Sequence, residues 1–160
     1  MNKEEFIKST GVGSTRSWYM DVVSVPILNK VLYEHEDFIG QFQIMRKVEE
    51  KEDWSYIQET YILSTHKLYR IVIKKDTVDI EAVKTSNICG FKFLNTIRKD
   101  LGHRAVPSSL VIRLASELNG NLEVMITPEE DSRINLSYQE KALNEFASAI
   151  SSVIRSSLDS

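Results

Sequence analysis

The sequence is poor in the residues that build disulfides, metal sites and tight loops: its 160 residues include one cysteine, three histidines, three prolines and six glycines. A single cysteine forms no internal disulfide. The histidines, His35, His66 and His103, lack the short spacing that zinc sites show. We therefore expect a fold that forms without a disulfide, a metal or a cofactor.

Long hydrophobic runs and an excess of positive charge are also missing. No apolar stretch approaches the roughly 20 residues of a membrane-spanning helix, and Met1–Phe6 carries acids where a secretory signal is basic. The net charge of −3 gives no overall attraction to nucleic acid or anionic lipid. Because Cys89 has apolar neighbours, we expect a buried thiol in a reducing compartment, and a cytoplasmic protein that binds no nucleic acid.

Motifs that carry catalysis are absent as well. The chain has neither Gly-x-Ser-x-Gly nor His-Glu-x-x-His. Its glycine-containing stretch Gly11–Thr15 lacks the spacing and the lysine of a phosphate-binding loop. We therefore expect a protein that is not an enzyme.

What the chain does contain is a change of pattern after its first quarter. Residues 1–37 are predicted to be an N-terminal helical extension, and residues 38–160 a single α+β domain. The extension carries the apolar segment Val22–Leu32, within which a short helix from about Pro26 to Glu34 is expected. This segment packs either on its own domain or on a second subunit, so a homo-oligomer is one alternative. The same alternatives hold for Trp18, Tyr19 and Met20.

From Phe38 to Thr127, apolar residues recur with the period of two that is typical of half-buried strands. Two hairpin turns are predicted in the first half of this region, at Ser64–Lys67 and at Lys75–Asp76. The second turn aligns Ile71 with Ile80, so the apolar faces of its two strands match.

A later hairpin is predicted from Leu110 to Thr127. A two-residue loop there would place the two apolar faces on opposite sides of the sheet. A three-residue loop at Asn119–Asn121 aligns Leu114 with Ile126 and keeps both faces together, and it supplies residues that accept a left-handed conformation.

One amphipathic helix is predicted from Ser137 to about Arg155, and Ser137 with Glu140 has the spacing of a capping box. Its apolar stripe, which we expect to pack on the sheet, consists of Leu143, Phe146, Ala147, Ile150, Val153 and Ile154. The whole pattern predicts an α+β fold with an antiparallel body of about six or seven strands. The C-terminal helix closes this body, and a short helix precedes it.

One stretch of the chain fits two structures. A helical period runs through Ile88, Phe91, Leu94, Ile97 and Leu101, with Gly102 as the C-cap. Phe91 and Phe93 fit one face of a strand equally well. Between the two, we favour a helix from about Lys92 to Leu101.

The segment Tyr61–Ile71 combines an apolar pair, a Ser-Thr turn with basic residues and a hydrophobic strand. Together with Val78–Val83 and Ile88 it resembles the core of pleckstrin-homology-like domains of the bacterial and GRAM type, over roughly Phe38 to Arg155. The resemblance implies an α+β binding module. Phosphoinositide-binding members of that family have basic residues in the first hairpin loop, whereas Glu49–Asp53 is acidic here, so membrane headgroup binding at this loop is not expected.

Our lead hypothesis is a non-enzymatic binding module that acts through protein–protein contacts. The alternative, from another functional class, is an acidic dimeric chaperone for a client protein. The chain resembles bacterial chaperones of secreted effectors in size, acidity and closing helix, and this alternative requires a helix at Lys92–Leu101.

The best candidate for a contact surface is the basic stretch Arg98–Arg104, which contains a single acid, Asp100. Such a cluster suits an acidic peptide or an anionic headgroup, and it also fits a solvated helix end whose cations oppose the helix dipole. The residues to which we assign ligand binding are Arg98, Lys99, His103 and Arg104.

Overall fold

A computed structural model describes residues 37–49, 54–73, 77–115, 122–128 and 135–158. These residues fold, as predicted, into seven antiparallel strands in two sheets and one C-terminal helix. The four-stranded sheet contains, in spatial order, β1 (Phe38–Glu49), β2 (Trp54–Ser64), β3 (Lys67–Ile73) and β4 (Val78–Lys84). The three-stranded sheet contains β5 (Ile88–Arg98), β6 (Arg104–Leu114) and β7 (Leu122–Ile126), and the helix α1 spans Leu136–Leu158.

The first two predicted hairpins are confirmed. Ser64 closes the turn between β2 and β3, because its Oγ accepts hydrogen bonds from the backbone N–H groups of Lys67 (2.9 Å) and His66 (3.3 Å). Serine favours turns through such local side-chain bonds. Between β3 and β4, Ile71 pairs with Ile80, which is the register that the alternating pattern predicts.

A short 3-10 turn, Thr85–Asn87, carries the chain from the first sheet to the second. The backbone N–H of Thr85 donates to the carbonyl oxygen of His66 at 2.9 Å. At the other end of the turn, the N–H of Ala115 donates to the carbonyl oxygen of Asn87 at 2.7 Å. The crossing is therefore fixed to both sheets by backbone hydrogen bonds.

The core lies between the two sheets and one side of α1. We call the side of the four-stranded sheet that faces this core its inner face; it carries Phe42, Tyr61, Leu63 and Leu68. The second sheet contributes Leu110, Ile112, Leu114 and Ile126, all at most 5% exposed. The helical stripe packs against both sheets, as predicted, through Leu143, Phe146, Ala147, Ile150 and Val153.

The cap of α1 differs from the prediction. Asn135 precedes the helix, and its side-chain oxygen accepts a hydrogen bond from the backbone N–H of Ser137 at 2.8 Å. The predicted capping box at Ser137 is wrong because the chain becomes helical one residue earlier, at Leu136. Asparagine is among the best N-cap residues, so Asn135 takes the capping role.

The register of the last hairpin also differs from the prediction. Leu114 pairs with Leu122 rather than with Ile126, so the connection is longer than the predicted loop Asn119–Asn121. The two registers differ by an even number of positions along β7. Both therefore keep the same apolar face on the core, and hydrophobic alternation alone does not separate them.

The predicted helix at Lys92–Leu101 is wrong. The chain is extended there as β5, which ends at Arg98 and is followed by the short 3-10 turn Lys99–Leu101. Strand β6 pairs with β5 up to Arg98, and Phe91 and Phe93 pack against the core from one face of the strand. This non-local pairing supplies burial and hydrogen bonds that a local helical spacing does not reveal.

The free thiol of Cys89 is exposed, which corrects the prediction of a buried one. Strand β5 contains a bulge at this point, because Ile88 pairs with Leu114 whereas Gly90 pairs with Arg113. The extra residue of a bulge is unpaired and its side chain is re-aimed. Apolar sequence neighbours therefore do not bury Cys89.

Two predictions concern residues before β1. The helix at Pro26–Glu34 and the aromatic group Trp18–Met20 lie outside the described residues, so they stay predictions, as does the division of the chain at residue 37. Within the part of the chain that the structure describes, no helix is long and apolar enough to cross a membrane.

Candidate functional site

The four basic residues assigned to ligand binding meet at the turn between β5 and β6. We call residues 94–105 the hairpin tip, and every one of them is exposed. Arg98 ends β5, Lys99 lies in the 3-10 turn, and Arg104 begins β6 directly opposite Arg98. The four basic residues thus lie together on a projecting hairpin. They do not lie at the end of a helix, which was the alternative that the sequence allowed.

A left-handed pair of residues makes the turn possible. Gly102 has φ 69° and His103 has φ 62°. Glycine accepts this conformation without steric cost, whereas a residue with a side chain loses roughly 1–2 kcal/mol in it. His103 carries a side chain and therefore bears this cost; it directly precedes Arg104, which pairs with Arg98 in the strand register.

The guanidinium of Arg98 binds Asp100 in a bidentate pair, with Nε donating to Oδ1 at 3.0 Å and Nη2 to Oδ2 at 2.8 Å. The hydrogen bond from Arg98 lowers the pKa of Asp100 below its ordinary value. Two like charges directly opposite each other, here Arg98 and Arg104, destabilise a hairpin. Asp100 offsets that repulsion. Lys99 and Arg104 have no ion-pair partner among the residues that the structure describes.

Three large aliphatic side chains share the hairpin tip with these cations: Leu94, Ile97 and Leu101 are 49%, 67% and 48% exposed. Leu94 and Ile97 are three residues apart on one strand, so their side chains lie on opposite faces of the hairpin. Sequence reasoning missed these residues as surface groups because their helical spacing indicated a buried stripe. The alternation of Phe91 and Phe93 was the signal that could have placed Leu94 on the opposite face of a strand. It gives no such signal for Ile97, which has the same alternation as the two phenylalanines, or for Leu101, which lies in the turn.

A bulge sets the direction of the hairpin tip. Leu94 pairs with Ser109 and Asn95 with Pro107, which leaves Ser108 as the extra residue of β6. The hydroxyl of Ser108 donates to the carbonyl oxygen of Leu94 at 3.0 Å. Bulges bend a strand and recur next to functional sites. The tip is therefore held at a defined angle to the core.

A second polar cluster lies on the inner face of the four-stranded sheet. Glu59 is 6% exposed, and Arg70 Nη2 lies 3.2 Å from its Oε1. The hydroxyl of Tyr61 donates to Glu59 Oε2 at 3.3 Å and accepts from Arg70 Nε at 3.3 Å. A buried carboxylate is strongly unfavourable without such partners. Both of its oxygens are engaged by neighbours within the sheet, so we assign this cluster a structural role.

Burial raises the pKa of Tyr61 above its ordinary value of 10.0, although the hydrogen bond from Arg70 acts in the opposite direction. The folded chain thus keeps the phenol proton at pH values where the unfolded chain has lost it. We expect the titration of Tyr61 to leave the free energy of unfolding unchanged below about pH 10 and to lower it as the pH rises from there through the raised pKa.

Urea unfolding between about pH 9 and 11 checks this expectation. Tyr61→Phe should lose about 0.5–1.5 kcal/mol near neutral pH through its missing hydrogen bonds, and its stability should decline less steeply in alkali. Tyr138→Phe is the matched control, because Tyr138 is 61% exposed. Equal alkaline slopes for the wild type and Tyr61→Phe would contradict the assignment.

Among the residues that the structure describes, no three His, Cys, Asp or Glu side chains lie together in a way that could hold a metal ion. No protein-family model matches the chain, and no curated protein does. The hairpin tip is therefore the candidate functional site, on the strength of its own geometry.

Proposed function

We propose that this protein is a non-enzymatic, cytoplasmic binding module that acts through protein–protein contacts, with the hairpin tip as its contact surface. The observation that carries the proposal is the combination, on one projecting turn, of exposed aliphatic side chains with two cations, Lys99 and Arg104, that have no ion-pair partner among the described residues. Exposed apolar groups at the centre of a contact supply affinity, and charges around them supply orientation and rate of association.

Two further observations support the proposal. The stretch Lys92–Arg104 contains four cations and one acid, in a chain whose net charge is −3. Local charge of this sign selects a partner that presents carboxylates. The non-glycine residue His103 has a positive φ, and backbone strain of this kind clusters at functional sites.

The pleckstrin-homology-like fold is part of the proposal. The resemblance rests on Tyr61–Ile71 together with Val78–Val83 and Ile88, and the strand-rich body closed by a C-terminal helix is compatible with it. The chaperone alternative required a helix at Lys92–Leu101, where the chain forms strand β5. The observations therefore favour the binding module over the chaperone.

Affinity capture from a lysate of the source organism tests the proposal with two double variants of equal charge. Lys99→Glu/Arg104→Glu reverses the two cations of the tip that have no ion-pair partner among the described residues, whereas Lys84→Glu/Lys141→Glu reverses two exposed cations elsewhere. We expect the wild type and the control variant to capture one stoichiometric partner and the tip variant to bind it at least about tenfold more weakly. The partner's affinity is then measured with the purified proteins.

If the tip variant and the control variant bind the partner equally well, the hairpin tip is not the contact surface. A turnover activity that Cys89→Ala or His103→Ala abolishes would overturn the non-enzymatic assignment. Light scattering on the purified protein, run alongside, distinguishes capture of a different protein from self-association.

A further inference from the structure

The four-stranded sheet is buried on both sides in its middle. We call the side opposite the core its outer face; it carries Thr60 and Ile62 on β2, and Ile71 and Tyr69 opposite them on β3. These side chains are 4%, 0%, 1% and 1% exposed, in the same order. None of them belongs to the core cluster that joins the two sheets and α1. Something other than that core therefore covers the outer face.

No described element lies over this patch. Helix α1 packs on β1, β5 and β6, and the second sheet packs on the inner face. An antiparallel sheet with one solvated side shows exposed side chains on that side. Here Ile80 and Gln41, which flank the patch on β4 and β1, are half-buried and Ala82 is exposed. The cover therefore follows the middle strands, β2 and β3.

Chain length and composition identify the source of the cover. Four short stretches lie outside the described residues between β1 and α1: 50–53, 74–76, 116–121 and 129–134. They have three to six residues each and are mostly polar or charged in composition. Only residues 1–36 are long enough and apolar enough to cover these four side chains together, and their apolar run is Val22–Leu32.

The point of attachment fits this source. Residues 1–36 join β1 at Asp37, whose carbonyl oxygen accepts a hydrogen bond from the N–H of Thr65 at 3.0 Å. Thr65 lies in the turn between β2 and β3, so the chain leaves the sheet at one end of the covered strands. From there an eleven-residue segment such as Val22–Leu32 spans roughly 16 Å as a helix and more when extended, enough to follow both strands back along the face.

We propose that Val22–Leu32 of the same chain docks on the outer face of the four-stranded sheet, over Thr60, Ile62, Tyr69 and Ile71. The segment that covers the outer face therefore belongs to the same chain. The sequence allows this apolar segment to pack either on its own domain or on a second subunit, and the proposal chooses its own domain. The proposal is independent of the function of the hairpin tip, because it rests on a different face of the molecule.

Disulfide trapping in the full chain tests the proposal. In a Cys89→Ser background, a cysteine is placed at Ala82, which is exposed and pairs with Tyr69 on the outer face. A second cysteine is placed in the segment, at Val25 or Leu28 in turn. Glu81→Cys is the matched control, since Glu81 is the exposed neighbour whose side chain faces the other side of β4.

Mild oxidation should cross-link the Ala82→Cys protein within one molecule, as seen on a non-reducing gel and by mass spectrometry, with at least a fivefold lower yield for Glu81→Cys. A cross-linked dimer would overturn the intrachain arrangement and make a second copy the occupant. Equal yields for both positions, or no cross-link from either segment cysteine to Ala82→Cys, would also overturn it.

A second measurement does not depend on cross-linking geometry. Val25→Asp/Leu28→Asp in the full chain should uncover the outer face and raise the fluorescence of an added apolar dye several-fold. Val12→Asp, an apolar-to-acid change outside the segment, is the control and should leave the fluorescence unchanged. An equal rise for both proteins, or none for the segment variant, would count against docking.

Discussion

Phe146→Ala is expected to cost about 3–5 kcal/mol of unfolding free energy, the largest effect that we predict for a single substitution. Phe146 is 0% exposed and lies in the cluster where α1 meets both sheets. Its removal takes a large apolar side chain from the core and leaves a cavity that neither sheet can fill without moving. Against a typical total stability of about 5–15 kcal/mol, this loss is a large fraction.

Urea denaturation followed by circular dichroism measures the loss. Tyr138→Ala on the same helix is the control, because Tyr138 is 61% exposed, and it should change the stability by no more than about 0.5 kcal/mol. If Phe146→Ala does not fold, Phe146→Leu keeps part of the volume and should show a smaller, measurable loss. A change below about 1 kcal/mol for Phe146→Ala would mean that the helix is not anchored at this point.

Gly40→Ala is the second large effect, and its cause is crowding. A Cβ at position 40 would lie 2.9 Å from the Cβ of Ala149 and 3.4 Å from Cδ2 of Phe146. The nearest atom belongs to a helical alanine, which has no rotamer to change, so α1 or β1 must move. Overpacking of this kind costs about 1–3 kcal/mol, and we expect a loss in that range.

Two variants separate crowding from a general effect of glycine replacement. Gly90→Ala is the matched control, because a Cβ there would have no atom within 4 Å, and its stability should stay within about 0.5 kcal/mol of the wild type. Ala149→Gly costs roughly 1 kcal/mol by itself through helix propensity. In the Gly40→Ala background it should cost less or restore stability, and additive losses would exclude the contact as the cause.

Elements that are decided by nearby residues could be predicted from the sequence. The turn at Ser64 is set by its own hydroxyl, and the stripe around Phe146 follows a single helical period. The register of β3 with β4 also follows from matching apolar faces, as the pairing of Ile71 with Ile80 shows. In each case the deciding contacts are a few residues apart or follow one repeated pattern.

Elements that are decided by residues far apart in the sequence could not be predicted from the sequence. Strand β5 is extended because β6 pairs with it, and no local feature of Leu94, Ile97 or Leu101 reveals that partner. The same limit applied to the candidate site. Its cations were visible as a charge cluster, whereas its exposed aliphatic groups were hidden because the same residues satisfied a helical pattern. Cys89 was misplaced for a related reason, since a bulge depends on the partner strand.

The position of α1 along the chain has a consequence for synthesis on the ribosome. The strands are made first, and the helix that closes the core is the last described element to be translated. Until Phe146 and its neighbours emerge, Leu110 and Ile112 have no helix to cover them. Nascent chains with uncovered apolar surface are prone to aggregate. The nascent chain therefore passes through a state in which Leu110 and Ile112 have no helical cover, and that state ends only when the residues of α1 have emerged and docked.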